Sequence, residues 1–138
     1  GMPRARVPLL APLPLSKPHP PILIGGLGET KTLRMVAQYA DACNMFAAIG
    51  PEAMTHKLEV LKRHCDNLGR DYNTIERTAL VGLRAASGGL DAAALIAECK
   101  ALAALGMQHV IYSAVPNVET LAPLEIIGRE VIPAVAEF

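Results

Sequence analysis

The chain has no tryptophan, and aromatic residues fill only 4% of its 138 positions. A core built around large rings is therefore excluded, and Leu, Ile, Val, Ala and Met must fill it. An excess of either charge is also missing, since thirteen Lys and Arg balance thirteen Asp and Glu. Without a basic run, or a basic patch interleaved with aromatics, the electrostatic footprint of a nucleic-acid binder is absent. No apolar run approaches the roughly 18 residues of a membrane-spanning helix. Prolines interrupt the N-terminal stretch where a signal peptide needs an unbroken apolar region. These absences predict a soluble cytoplasmic protein with neither nucleic acid nor membrane as partner.

Cysteine is scarce and odd in number. Cys43, Cys65 and Cys99 lie far apart, with no C-x-x-C pair and no histidine at metal-ligand spacing. They read as reduced packing residues, and no metal site is expected. Gly1 ahead of Met2 reads as a remnant of tag cleavage and is set aside.

Proline, in contrast, is concentrated at one end: seven lie between Pro3 and Pro21. Such a stretch cannot hold a regular helix, so residues 1–21 are expected to form an extended arm and residues 22–138 a single folded domain. An arm offers no first element for a core to pack on, which points to an N-terminal neighbour.

From Ile22 onward, apolar runs alternate with helical periodicity. Ile22 to Ile24 is a short strand closed by Gly25, Gly26, Leu27 and Gly28. From Thr30 to Ala40 the residues Leu33, Val36, Ala37 and Ala40 recur at helical spacing. Cys43 to Ala47 reads as a second strand, and Pro51 is well placed to open a helix. In that helix Met54, Leu58, Leu61, Cys65 and Leu68 form one apolar seam ended by Gly69. A third strand follows over Ile75 to Ala85. After the loop at Ser87, Gly88 and Gly89, Asp91 can cap a helix running to about Leu105, with Leu95, Cys99 and Leu102 on its apolar face. His109 to Val115 is the fourth strand. A last helix from about Glu119 would line up Leu121, Leu124, Ile127 and Val131, with Pro133 kinking or ending it. Four apolar strands, each followed by a helix, make an α/β fold with parallel strands joined by right-handed crossovers.

The turn from Gly25 to Thr30 is the segment suited to binding. Glycines let an anion approach the backbone, and amides at a helix start sit at the positive end of its dipole. Thr30 and Thr32 add hydroxyl donors and Lys31 a charge. The segment GLGETK puts lysine where the dinucleotide fingerprint has its third glycine, and no P-loop pattern is present. On spacing alone a plain structural turn outweighs a phosphate role.

Among the other polar residues, His19 sits between prolines and His109 opens a strand expected to be buried; both read as structural. His56 and His64 read as surface or seam residues, although positions i and i+8 can share a helix face. Asp41 is expected to end its helix and Asn44 to be structural at a strand start. Ser113 and Asn117, near the end of the fourth strand, are candidate substrate or cofactor contacts. No Ser-His-Asp set can be argued from residue order.

The run from Lys17 to Arg34, KPHPPILIGGLGETKTLR, continues through Val36, Ala37, Tyr39, Ala40, Asp41 and Asn44. Further along come Lys57, Leu58, Leu61, His64, Cys65, Gly69, Arg70, Asp71, Gly106, His109 to Ile111, and Val131 to Pro133. Together they resemble the bacterial-luciferase-like monooxygenase family, above all its deazaflavin-dependent branch. Where relatives often have Gly-Trp after Tyr-Ala-Asp, this chain has Ala42 and Cys43. The resemblance implies a (β/α)8 (TIM) barrel enzyme using reduced FMN or a deazaflavin coenzyme for monooxygenation or hydride transfer to a small organic substrate. It also implies a cofactor phosphate held at Gly25, Gly26, Gly28, Glu29 and Thr30. Backbone amides and the Thr30 hydroxyl would contact the anion, while Glu29 caps or braces the loop.

A complete barrel of this type takes about 250 residues, whereas only four strand–helix units can be counted here. The expected fold is thus half a TIM barrel, completed by a second copy or by a partner carrying the missing half, because half a barrel leaves sheet edges and an apolar face uncovered. The family's N-terminal half, with much of its ring-binding and catalytic machinery, is absent from these four units, so no catalytic residue is assigned. A non-catalytic cofactor-binding remnant and a purely structural association module stay open beside the oxidoreductase reading.

Overall fold

The computed structural model describes residues 14–83, 89–114 and 121–137. Residues 14–21, the described part of the arm, contain neither helix nor strand. Arg84, Ala85, Ser87, Gly88, Val115, Asn117 and Glu119, which figure in the sequence reading, lie outside the described residues.

Four strands, β1 (Leu23–Gly25), β2 (Ala42–Phe46), β3 (Glu76–Leu83) and β4 (His109–Ala114), form one sheet in the order β1-β2-β3-β4. All neighbours are parallel, in the register Gly25 to Asn44, Asn44 to Thr78 and Thr78 to His109. Helices α1 (Thr32–Tyr39), α2 (Pro51–Leu68) and α3 (Ala92–Ala104) make the crossovers. The predicted βαβαβαβ series and its parallel pairing are therefore present.

Alternation along the strands sends Ile24, Cys43, Met45, Arg77, Ala79, Val81, Val110 and Tyr112 to one face. That face takes the helices. Leu33, Val36 and Ala37 of α1 pack with Met54, Leu58, Leu61 and Cys65 of α2 over Cys43, Met45 and Ala79 in one cluster. The seam read from the sequence fills this core except at its last position, Leu68, which is 46% exposed. Pro51 opens α2, and Gly69, in the left-handed region at φ +66°, ends it. The Asp91 carboxylate accepts the Ala94 amide at 3.0 Å and caps α3. All three cysteines are free and buried, and burial pushes the Cys43 and Cys65 thiols up, away from reactivity.

The opposite sheet face carries Leu23, Asn44, Phe46, Glu76, Thr78, Leu80, His109, Ile111 and Ser113. No helix covers it. Leu23 and Phe46 are each 52% exposed, unlike the residues of a parallel sheet buried on both sides.

The last helical stretch departs from expectation. It runs as α4 (Ala122–Ile126), a π-helical segment over Ile127–Val131, and α5 (Ile132–Val135). Pro133 does not end it: proline lacks an amide and its ring crowds the carbonyl four residues back, and the wider π turn just before it accommodates both. The expected apolar stripe is only partly used. Val131 is buried, while Leu121 and Leu124 are 70% and 55% exposed, because this stretch packs on α3 and not across the sheet.

Candidate functional site

β1 ends at Gly25, and the chain turns through Gly26 to Lys31 into α1. Gly26 has φ +129°, a conformation that side chains resist, and its amide donates to the Asn44 carbonyl at 3.1 Å. A Cβ on Gly26 would lie 3.1 Å from Thr32 Cγ2, and one on Gly28 would lie 2.9 Å from Thr32 Oγ1. The turn is thus folded down on Thr32, whose side chain would have to shift to admit a Cβ at either position. The Thr32 hydroxyl packs beneath the turn, while Gly28, Thr30 and Lys31 are exposed above it.

The start of α1 has no side-chain cap and no acidic residue in its first turn. The Gly28 carbonyl accepts the Leu33 amide at 2.9 Å. Among the described residues, the amides of Leu27 through Thr32 have no protein partner. These unpartnered N–H groups lead into and open α1, where the helix dipole favours an anion.

Glu29 faces away from that set. Its Oε1 accepts from Lys57 Nζ and lies 3.2 Å from His56 Nε2, while its backbone carbonyl is 2.7 Å from His64 Nε2. The hydrogen bond from Lys57, aided by the charges of Lys57 and His56, outweighs the opposing effect of desolvation and holds the Glu29 carboxyl below the usual carboxylate range. These contacts tie the turn to α2. His56 and His64 do share one face of α2, and that face meets Glu29.

Other candidates fall elsewhere. Asn44 is not at a strand start: it occupies the centre of β2, level with Gly25, and its side-chain oxygen accepts from Thr78 Oγ1 at 2.9 Å. Asp41, just beyond α1, accepts the Ile22 amide at 2.7 Å and ties the entry of β1 to the end of α1. His19 reaches only the Pro20 carbonyl, at 2.8 Å. His109 is not buried; its side chain is 58% exposed on the open face, 3.2 Å from Glu76. Ser113 is exposed near the end of β4, and three strand spacings, about 14 Å, separate it from the glycine turn.

Two arginines were given no role by the sequence. Arg70 donates to the carbonyls of Val36, Ala37 and Ala40 at 3.5, 3.2 and 2.7 Å, capping the C-terminal end of α1 with a cation. Arg77, at the start of β3, is 8% exposed and lies over the Tyr72 ring at 4.6 Å. Its place between Ile75 and Ala79 at the alternating positions of the strand was the available signal.

No family model matches the sequence, and no curated protein does. Solved structures match by shape. One is an F420-dependent secondary alcohol dehydrogenase in complex with an F420-acetone adduct, with a TM-score of 0.69 at 17% identity over 83% of this chain and 48% of that one. Another is the coenzyme F420 dependent tetrahydromethanopterin reductase from Methanopyrus kandleri, with a TM-score of 0.65 at 14% identity over 82% of this chain and 50% of that one. The fold is that of half a TIM barrel. The chain spans about half the length of these structures, as four of eight strand–helix units should. In such a barrel the glycine turn lies on the rim formed by the C-terminal strand ends, where these folds place their sites.

Proposed function

We propose that this chain supplies the cofactor-phosphate half of a luciferase-like oxidoreductase that uses a deazaflavin coenzyme. The observation that carries the reading is the uncapped start of α1, where among the described residues the amides of Leu27 through Thr32 are unpartnered behind a glycine turn in which a Cβ at Gly26 or Gly28 would crowd the Thr32 side chain. The shape matches support deazaflavin over FMN, because both of those proteins are described as F420-dependent.

When bound, the coenzyme supplies the hydride chemistry. The residues of this chain would do the holding. Amides of Gly28, Glu29 and Thr30, with the Thr30 hydroxyl, would take the phosphate; Gly25 and Gly26 would keep the backbone close; Lys31 would offset its charge. Glu29, held by Lys57 and His64, would fix the turn's position against α2. None of these groups is an acid, base or nucleophile for the reaction, so the turn positions the coenzyme and leaves proton handling to other residues. The small organic substrate would bind where the open face meets the strand ends, and the three unpaired cysteines suit a reducing cytoplasm.

A second copy, or a chain carrying the other half-barrel, would cover Leu23, Phe46, Leu80 and Ile111. That open face also favours a second reading, a structural association module without cofactor. Titrating the purified chain with coenzyme F420 and with FMN, followed by fluorescence, separates the two. Saturable F420 binding that Gly28→Ala weakens supports the cofactor role. Failure of both cofactors to bind leaves association alone.

A further inference from the structure

Arg77 is out of place for its surroundings. It lies on the helix-covered face of β3, 8% exposed, and among the described residues no carboxylate pairs with it. Buried charges normally have an ionic partner. The guanidinium has neutral ones instead. Nε donates to the Gly106 carbonyl at 2.8 Å, Nη1 to the Ile75 carbonyl at 3.1 Å, and the Tyr72 ring covers one side.

Nη2 makes no hydrogen bond to the described residues. No fully buried side-chain nitrogen or oxygen among them lacks a partner, so among the described residues Nη2 is not a sealed, unpartnered atom. Arg77 borders a cavity of about 660 Å³ between β4, α3 and the last helical stretch. This volume is within the range of about 300–1,000 Å³ typical of small-molecule sites. The last helical stretch rests on α3 and, together with β4, bounds this space.

Its polarity is one-sided. Arg77 and Gln108 stand at one end. Gln108 Oε1 already accepts the Arg77 amide at 3.2 Å, which leaves the carboxamide NH2 as a further donor. The walls are apolar: Val110, Ala103, Ile127, Val131 and Val135. At the far end the Tyr112 hydroxyl is satisfied by Glu98 and Cys99, each at 3.3 Å. From Gln108 to Tyr112 the strand rises about 13 Å. The space is thus long and largely apolar, with a guanidinium at one end that no carboxylate among the described residues pairs.

We propose that this cavity is a second ligand site, separate from the glycine turn, which binds an aliphatic carboxylate of the medium-chain fatty-acid type. The carboxylate sits on Arg77 Nη2 and the Gln108 amide, and the chain lies along Val110 toward Tyr112. A carboxylate supplies the missing counter-charge in the geometry a guanidinium favours, and the hydrocarbon replaces empty volume between apolar walls.

The test uses the whole chain with decanoate as probe, decanol as its uncharged counterpart, and amide-resolved NMR titration as readout. The expected result is saturable decanoate binding that shifts the amides of Gly106–Tyr112 and Ile127–Val135. Decanol should bind about tenfold more weakly or worse, the effect of losing a charge-assisted bond. Arg77→Met should weaken decanoate to the decanol level. Because that variant also removes structural bonds, Ala103→Phe, which fills the cavity and keeps Arg77, should abolish decanoate binding while leaving coenzyme F420 affinity unchanged. Equal affinity for decanoate and decanol overturns the proposal, as does decanoate binding that survives Ala103→Phe. Absence of shifts at millimolar decanoate, including the case where a second copy already covers these amides, overturns it as well.

Discussion

Lys57, in the second turn of α2, donates its ammonium hydrogen to the carboxylate of Glu29, 28 residues earlier in the chain. This contact fastens the glycine turn to a helix that is itself fixed in the core. The turn therefore keeps its shape through tertiary contacts as well as through its own glycines.

The pH dependence of that contact follows from the lowered Glu29 carboxyl. An acid lowered on folding contributes fully above its unfolded value and loses its contribution as pH falls through the folded one. Carbon-detected NMR of the Glu29 carboxyl should show titration below the ordinary glutamate range, and Lys57→Met should return it toward that range. Unchanged titration in the variant would mean that the contact does not persist in solution.

Glu29→Gln keeps the side chain's shape and removes its charge. Thr30 stays in place in sequence but the turn is less firmly held, so coenzyme F420 affinity should fall several-fold with little change in thermal midpoint, since exposed ion pairs contribute only about 0–1 kcal/mol to stability. A large loss of stability with unaltered affinity would reverse these roles.

Gly26→Ala places a side chain at φ +129°, 3.1 Å from Thr32 Cγ2. Strain of this kind costs on the order of 1–3 kcal/mol, and chemical denaturation should register it. Gly28→Ala meets the Thr32 hydroxyl at 2.9 Å instead, so the double change with Thr32→Ala should recover much of the lost stability. Failure of the second change to help would show that the clash is relieved by backbone movement.

Arg70→Ala removes three bonds to the carbonyls at the end of α1. Hydrogen bonds to a charged group contribute about 1.5–3 kcal/mol each at most, and partial exposure reduces this, so a total loss of about 2 kcal/mol is expected from urea unfolding. Arg70→Lys should recover only part of it, because an ammonium cannot reach several carbonyls at once as the planar fork does.

The open sheet face predicts association. Sedimentation at micromolar concentration should give a mass above that of one chain, and Phe46→Lys should shift it toward the monomer. A wild-type chain that stays monomeric and does not aggregate would contradict this.

The helices of the core were legible because each buries a stripe: Leu33, Val36 and Ala37 in α1, then Met54, Leu58, Leu61 and Cys65 in α2, lie at spacings that only a helix turns to one side. The four strands were legible as short apolar runs, and their parallel order followed from the crossovers. The last helix was less so. Leu121 and Leu124 fit the same period, yet helical period alone does not state which neighbour a stripe will meet, and here much of it meets solvent.

The sequence by itself determined the alternation of strands and helices, the glycine turn, and the stop at Gly69, because these depend on local sterics and on periods of two and 3.6 residues. Only the tertiary structure decided that Glu29 would meet Lys57 and His64, that Arg70 would cap a helix 30 residues away, and that Arg77 would border a cavity without a carboxylate beside it. Those outcomes depend on how crossovers bring distant segments together, and no local period or propensity encodes that distance.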